Sequence, residues 1–396
     1  MNKIALVAVA YNRLESLARL LDSLNSARYG SEGIHLIISV DKSDTTDVEE
    51  FANGFEWKHG DKHVRTHERN LGLRDHIMSL GEWFSAYDAL VVLEDDLIVS
   101  PWFYDYVEQT VEKYSADDDI AGIGLYGYRV NYQTHKVFEP ANDGNDVFFM
   151  NCAMSWGEIW LKRQWTAFYE WYLNHQDFPA MPHLPQCICK WSGQSWLKYH
   201  TRYCMEENKY FVIPNIPFTT NCDETGVHQT QHRYYTVPLC QVEICMGLAG
   251  PLRLPEFRDS NVRYDGFFEN KALYDFLGFE ERDLCLDLTG GNPNLTKKRY
   301  WLTSRVLDYR IVKSWGMTFR PIEYNIFRHA EGNQIFLYDT AETAKNPYMD
   351  EKPLLLYGHY INDMFFVCYE YGFWRLFKKT ISTLFRIVKH KIDSKL

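Results

Sequence analysis

Within its first 95 residues the chain alternates four apolar runs with segments of helical period, a rhythm that few folds accommodate. Lys3 to Ala10, His35 to Val40, His63 to Thr66 and Ala89 to Leu93 read as strands, three of them almost wholly aliphatic as a sheet buried on both faces requires. Between them, Asn12 to Asn25 carries Leu14, Leu17, Leu21 and Leu24 at helical spacing. Thr45 or Thr46 caps a helix running through Glu50, and ERNLGLRDHIMSLGEWF is helical from about Leu73. Strands joined by helices pair in parallel, so the sequence predicts an α/β fold with a doubly wound, mostly parallel central sheet and flanking helices. The first strand is not followed by GxGxxG and no GxxxxGK[ST] occurs, which argues against a dinucleotide Rossmann site and a P-loop.

The fourth strand runs into VVLEDDLIVSPWF, where Glu94, Asp95 and Asp96 stack three acids at the point where the strand leaves the core. Ser100-Pro101 then signals a helix start, so the stretch reads as strand, acidic corner, short connection and helix. Clustered carboxylates repel unless a cation joins them, and hard cations such as Mg²⁺ or Mn²⁺ take oxygen ligands. The plainer reading is a solvated acidic turn before a helix N-terminus. The other strands also end in polar groups: Asn12 and Arg13, Asp41, then Asn70 and Arg74. In open α/β sheets ligands sit outside the carboxyl ends of the strands, so these residues are predicted to share one site.

Composition narrows the partners. A net charge of −11 argues against a nucleic-acid binder, which needs a basic footprint. Nine cysteines without a framework, CxxC pair or zinc spacing read as reduced thiols in a cytoplasmic protein. The start MNKIALVAVAYN is too short in apolar run for a signal peptide, and no window reaches 18 apolar residues. Aromatic residues reach 16%, a density that suits holding flat ligands such as sugars as well as core packing.

The order of elements and the acidic corner resemble GT-A fold glycosyltransferases, particularly the N-acetylglucosaminyltransferase I type, in which a similar VVVEDDLEVAP strand leads into a helix opening on paired aromatics. FFMNCAMSWGEIW (148–160) and NKYFVIPNIPFTTNCDETGVH (208–228) extend the likeness, the second toward bacterial surface-polysaccharide enzymes with a Gly-x-His loop. Coverage is roughly residues 1–235. The resemblance implies that Asp96 coordinates Mn²⁺ or Mg²⁺ bridging the phosphates of a nucleotide sugar, probed from the far side by His228. It implies that Glu94 and Asp95 sit toward ribose and sugar, that Asp41 contacts uracil, and that Asn12 and Arg13 contact the nucleotide, with Asn70 and Arg74 in the same donor site. The expected donor is UDP-linked, and the expected transferase is a hexosyl- or N-acetylhexosaminyl-transferase.

One departure matters. The family's base lies in a Trp-Asp-Asp-Trp stretch, where this chain has WSGQSW (191–196) with Gln194 and Ser195. Neither is a base, so Asp223, Glu224 and Glu158 stand as catalytic candidates, and a retaining mechanism, which needs no such base, is the alternative. Two rivals follow. A sugar-nucleotide pyrophosphorylase would want a Gly-rich first loop, which AVAYNRLES lacks. A non-catalytic nucleotide-sugar or glycan-binding scaffold on the same fold fits the missing base.

Beyond 235 the alternation fades, and 236–371 is expected to form an acceptor-side lobe or lid, with LTGGNPNLTKKRYW (288–301) as an exposed loop before a helix. The tail, 372–396, has Phe373, Trp374, Phe377, Ile381, Leu384, Phe385 and Val388 at helical spacing among seven basic residues and one acid. A basic amphipathic helix predicts an element lying on an anionic membrane surface. The expected setting is then peripheral, on the inner face of the plasma membrane, with a glycan or lipid-linked glycan acceptor.

Overall fold

The structure is a computed structural model that describes residues 2–222, 236–240, 251–348, 354–356, 359–361, 368–369 and 372–393. Its first third follows the expected order: β1 (Ile4–Ala10), α1 (Leu14–Asn25), β2 (His35–Val40), α2 (Asp47–Gly54), β3 (Lys62–Thr66), α3 (Leu73–Ser79) with a 3₁₀ turn over Leu80–Ser85, and β4 (Ala89–Glu94). β1 lies between β2 and β4, and β3 flanks β2, all in parallel.

The period of the strand splits the core in two. Leu6, Ala8 and Ala10 of β1 face one apolar cluster with Leu17, Leu20, Leu21 and Leu24 of α1, while Ala5, Val7 and Val9 face another containing Ile77, Phe84, Trp160 and Trp165. The α1 stripe therefore includes Leu20, which is fully buried, whereas Leu14, in the helix's first turn, is 39% exposed. Each buried leucine contributes about 1.5–3 kcal/mol.

After the acidic corner come β5 (Leu97–Val99), α4 (Phe103–Tyr114), β6 (Ile120–Gly124), the small hairpin β7 (Val130–Asn131) and β8 (Lys136–Val137), β9 (Val147–Met150), β10 (Glu158–Leu161), α5 (Lys162–Leu173), α6 (Gln186–Cys189), α7 (Trp196–Glu206), β11 (Tyr210–Pro214) and β12 (Thr219–Asn221). β10 inserts antiparallel between β4 and β6, turning a parallel half-sheet into a mixed one. The stretch read as a short connection is strand β5, paired antiparallel with β12, and the Cys222 amide donates to the Asp96 carbonyl at 2.9 Å. The acidic corner is thus braced from a segment more than 100 residues away, which local sequence does not reveal.

The first sheet continues past residue 235. β13 (Arg263–Tyr264) is its ninth strand, beside β9, and Phe257 and Val262 pack into its two cores. Then follow α8 (Ala272–Leu277), β14 (Leu284–Asp287), β15 (Tyr300–Thr303), β16 (Tyr309–Trp315), α9 (Tyr324–Phe327), β17 (Ile335–Thr343), β18 (Leu354–Leu356), β19 (His359–Ile361) and α10 (Phe373–Asp393). β14, β15, β17 and β16 make a four-stranded sheet over its own core of Leu273, Leu286, Leu302, Trp315, Ile326 and Leu337. The loop at 288–301 therefore enters a strand rather than a helix; Tyr300 and Trp301 pair with Asp339 and Tyr338 of β17. Among the described residues Cys152, Cys187, Cys189, Cys204, Cys285 and Cys368 are free thiols, and no described helix is long and apolar enough to cross a membrane.

Candidate functional site

Because β1 to β4 run in parallel and in register, with Ala10 opposite Val40, Val40 opposite Thr66 and Val9 opposite Glu94, their polar ends meet on one edge. They surround a cavity of about 680 Å³ lined by Asn12, Arg13, Asp41, Asn70, Glu94, Asp95 and Asp96 on one side and Trp156, Gln194, Ser195 and Trp196 on the other. That volume falls within the roughly 300–1,000 Å³ of small-molecule sites.

The acids are held by a cation of the chain itself. Arg13 Nη2 pairs with Asp95 Oδ1, its Nε lies 3.4 Å from Asp95 Oδ2, and Nη1 lies 3.4 Å from Asp96 Oδ2. Burial works against the Arg13 charge, but the pull of Asp95 and Asp96 prevails and its pKa is raised. Glu94, half-buried at the strand end, is pushed up to about 8 by burial and by repulsion from Asp96 and Asp95, against the opposing effects of Arg13 and the Trp196 side chain hydrogen-bonded to it. Asp96 differs from its neighbours. It is 8% exposed and its Oδ1 has no hydrogen-bond partner among the described residues, a costly state for a buried carboxylate.

Asp41 organises the opposite wall. Its carboxylate accepts from the amides of Lys42 (2.9 Å), Leu71 (2.9 Å) and Gly72 (3.0 Å), so it fixes the loop between β3 and α3. Gly72 adopts φ +75°, a backbone conformation that favours glycine, and it lies close to the Gln194 side chain. Arg74 donates to the Gly193 carbonyl at 3.1 Å, and Asn70 to the Lys42 carbonyl at 2.9 Å. The β3–α3 loop thus carries the 191–196 stretch to the cavity, with Arg74 acting as a brace beside it rather than as a lining residue.

Of the catalytic candidates, Glu158 does not reach the cavity. It sits on β10 opposite Val92, 1% exposed, with Oε1 3.3 Å from Nδ1 of an equally buried His200. Burial raises the Glu158 carboxyl far above its usual range and lowers His200 to about 3, so burial favours the neutral form of each. Asp223, Glu224 and His228 lie outside the described residues.

Sequence reading did not single out His76, Trp156 or Trp196 as site residues, although all three line the cavity. His76 is 2% exposed, its Nε2 is 2.7 Å from Ser39 Oγ, and burial lowers it to about 4, aided by His67 and Arg65 and opposed by Asp41. Its folded pKa lies below the unfolded value of about 6.5, so the folded protein binds that proton less well. The associated stability is full above pH ~6.5 and is lost as pH falls toward about 4. Denaturant titrations at about pH 7.5 and pH 5 are expected to show roughly 2 kcal/mol less stability at the lower pH on this account, a share that His76→Asn removes.

A mostly parallel sheet with an acidic corner over a cavity at its strand ends defines the class as a GT-A fold. Residues 6–185, a little under half of the chain, match the family described as Glycosyl transferase family 2, and the architecture is GT-A-like. Among solved structures it is similar to S. aureus TarS 1–349 in complex with UDP-GlcNAc, at 14% identity and TM-score 0.38, over 57% of this chain and 60% of that one. The same TarS fragment without a named ligand gives 13% and 0.37, over 55% and 59%. The mannosyltransferase PcManGT from Pyrobaculum calidifontis, in complex with GDP-Man and Mn²⁺, gives 10% and 0.34, over 55% and 57%. The chain thus spans less than two thirds of these proteins. No curated protein matches.

Proposed function

We propose that the protein transfers a sugar, hexosyl or N-acetylhexosaminyl, from a uridine diphosphate sugar to a hydroxyl of a glycan or lipid-linked glycan in bacterial surface-polysaccharide or oligosaccharide synthesis. The observation that carries this reading is Asp96, which lines a cavity of nucleotide-sugar size and whose Oδ1 has no hydrogen-bond partner among the described residues. Among the described residues no three His, Cys, Asp or Glu side chains cluster as a closed metal cage would require. An open site suits Mg²⁺ or Mn²⁺, which are held by one or two carboxylates together with substrate phosphates. Asp96 would hold such an ion, and the ion when bound offsets charge on the departing diphosphate. The chain's own contribution is orientation: Asp41 fixes the 70–72 loop, and Arg13 holds Asp95 in place. Half-buried Trp156 offers an apolar face for a sugar or base, while buried Trp196 hydrogen-bonds to Glu94 from behind.

The absence of a carboxylate from 191–196 favours a second reading, a scaffold that binds nucleotide sugars without turning them over. Calorimetric titration with UDP, GDP, CDP and dTDP, each with Mn²⁺ and with EDTA, is expected to show metal-dependent binding of UDP. UDP-sugar hydrolysis then separates the readings, since an enzyme releases UDP slowly without acceptor and a scaffold does not. No binding of any nucleotide would sink both.

A further inference from the structure

We infer that α10 docks the protein on an anionic lipid surface, in keeping with the cytoplasmic leaflet of a plasma membrane. The inference rests on the helix alone and not on the reaction proposed above. At 3.6 residues per turn, Phe373, Trp374, Leu376, Phe377, Ile381, Leu384 and Phe385 fall within an arc of roughly 180°, broken only by Thr380. Arg375, Lys378 and Lys379 occupy the opposite arc.

The apolar arc has no cover from the chain's own described residues. Trp374 is 71% exposed, Phe385 73%, Phe373 58% and Leu384 55%, whereas a helix packed on its own domain buries such residues, as α1 does. Phe373, Trp374 and Phe377 cluster at the start of the helix with ring centroids 5.5–6.3 Å apart, giving an aromatic end of the kind that settles at the headgroup level.

Charge selects the occupant. The helix has no acid before Asp393, so it lacks the alternating charges that set register between paired helices. From 372 onward the sequence carries +6, which leaves −17 on the rest of the chain. An anionic bilayer attracts the helix and repels the body, so the two are sorted toward and away from the surface by the same field.

The test is co-sedimentation of the full chain with vesicles of phosphatidylcholine alone or with about one third phosphatidylglycerol. Wild type is expected to bind the anionic vesicles preferentially. Lys378→Glu with Lys379→Glu should weaken that binding at least ~100-fold, and Phe377→Glu with Leu384→Glu should abolish it, with thermal midpoints unchanged. Equal binding by wild type and both variants, or no binding of wild type to either vesicle, overturns the proposal. So does a dimer in light scattering that the Phe377 and Leu384 changes dissolve while vesicle binding persists, which would make the face a contact between copies of this chain.

Discussion

Asp96→Ala is expected to eliminate metal-dependent UDP binding and to lower turnover by about 1,000-fold or more, the several kcal/mol a cation supplies at a departing diphosphate. The expectation follows from where the carboxylate stands. Asp95 is engaged on both oxygens by Arg13, while Asp96 gives one oxygen to the same guanidinium and its Oδ1 has no hydrogen-bond partner among the described residues. Asp96→Asn separates ligation from folding. The amide keeps the shape but removes the charge that opposes Glu94, so its thermal midpoint should match or exceed wild type while metal-dependent binding disappears. A variant that still binds UDP in a manganese-dependent way would remove Asp96 from the metal role.

Much of the site was legible because it is written in strand ends. β1 to β4 announce themselves by composition, and once they are parallel the polar residues following each must converge. Asp41 shows where such reading stops. The sequence puts it at the end of β2, where it lines the cavity, but its carboxylate also accepts from the amides of residues 42, 71 and 72 and so braces a loop. Glu158 shows a second limit. In SWGEIW an acid next to apolar residues reads equally well as a cleft residue or an interior one, and only the insertion of β10 between β4 and β6 places it inside. β5 and the four-stranded sheet were unreadable for the same reason, since their stability comes from partners far along the chain and not from local period.

Arg13→Ala is expected to destabilise the metal-free protein by about 2–4 kcal/mol, a drop of roughly 2–5 °C in thermal midpoint for a chain of this length. Removing one member of a buried ion pair leaves the others uncompensated. Here the remainder would be Asp95, 4% exposed, beside Asp96 and a Glu94 already pushed up to about 8. Arg13 itself keeps 28% of its side chain in solvent, which places the effect in the lower part of the range for buried pairs. The pH dependence has a definite sign. Without the guanidinium, Glu94 is raised further above its unfolded value, so stability is retained at low pH and lost as pH rises through the folded pKa; the deficit should be largest above about pH 8. Arg13→Lys should recover part of it, as a point charge without the forked geometry. Added Mn²⁺ should recover more if the ion meets Asp96, because it supplies the positive charge the variant lacks. Melting curves in EDTA and in Mn²⁺ at two pH values test the whole account, and a variant as stable as wild type in EDTA at high pH would show that the acidic corner does not depend on Arg13.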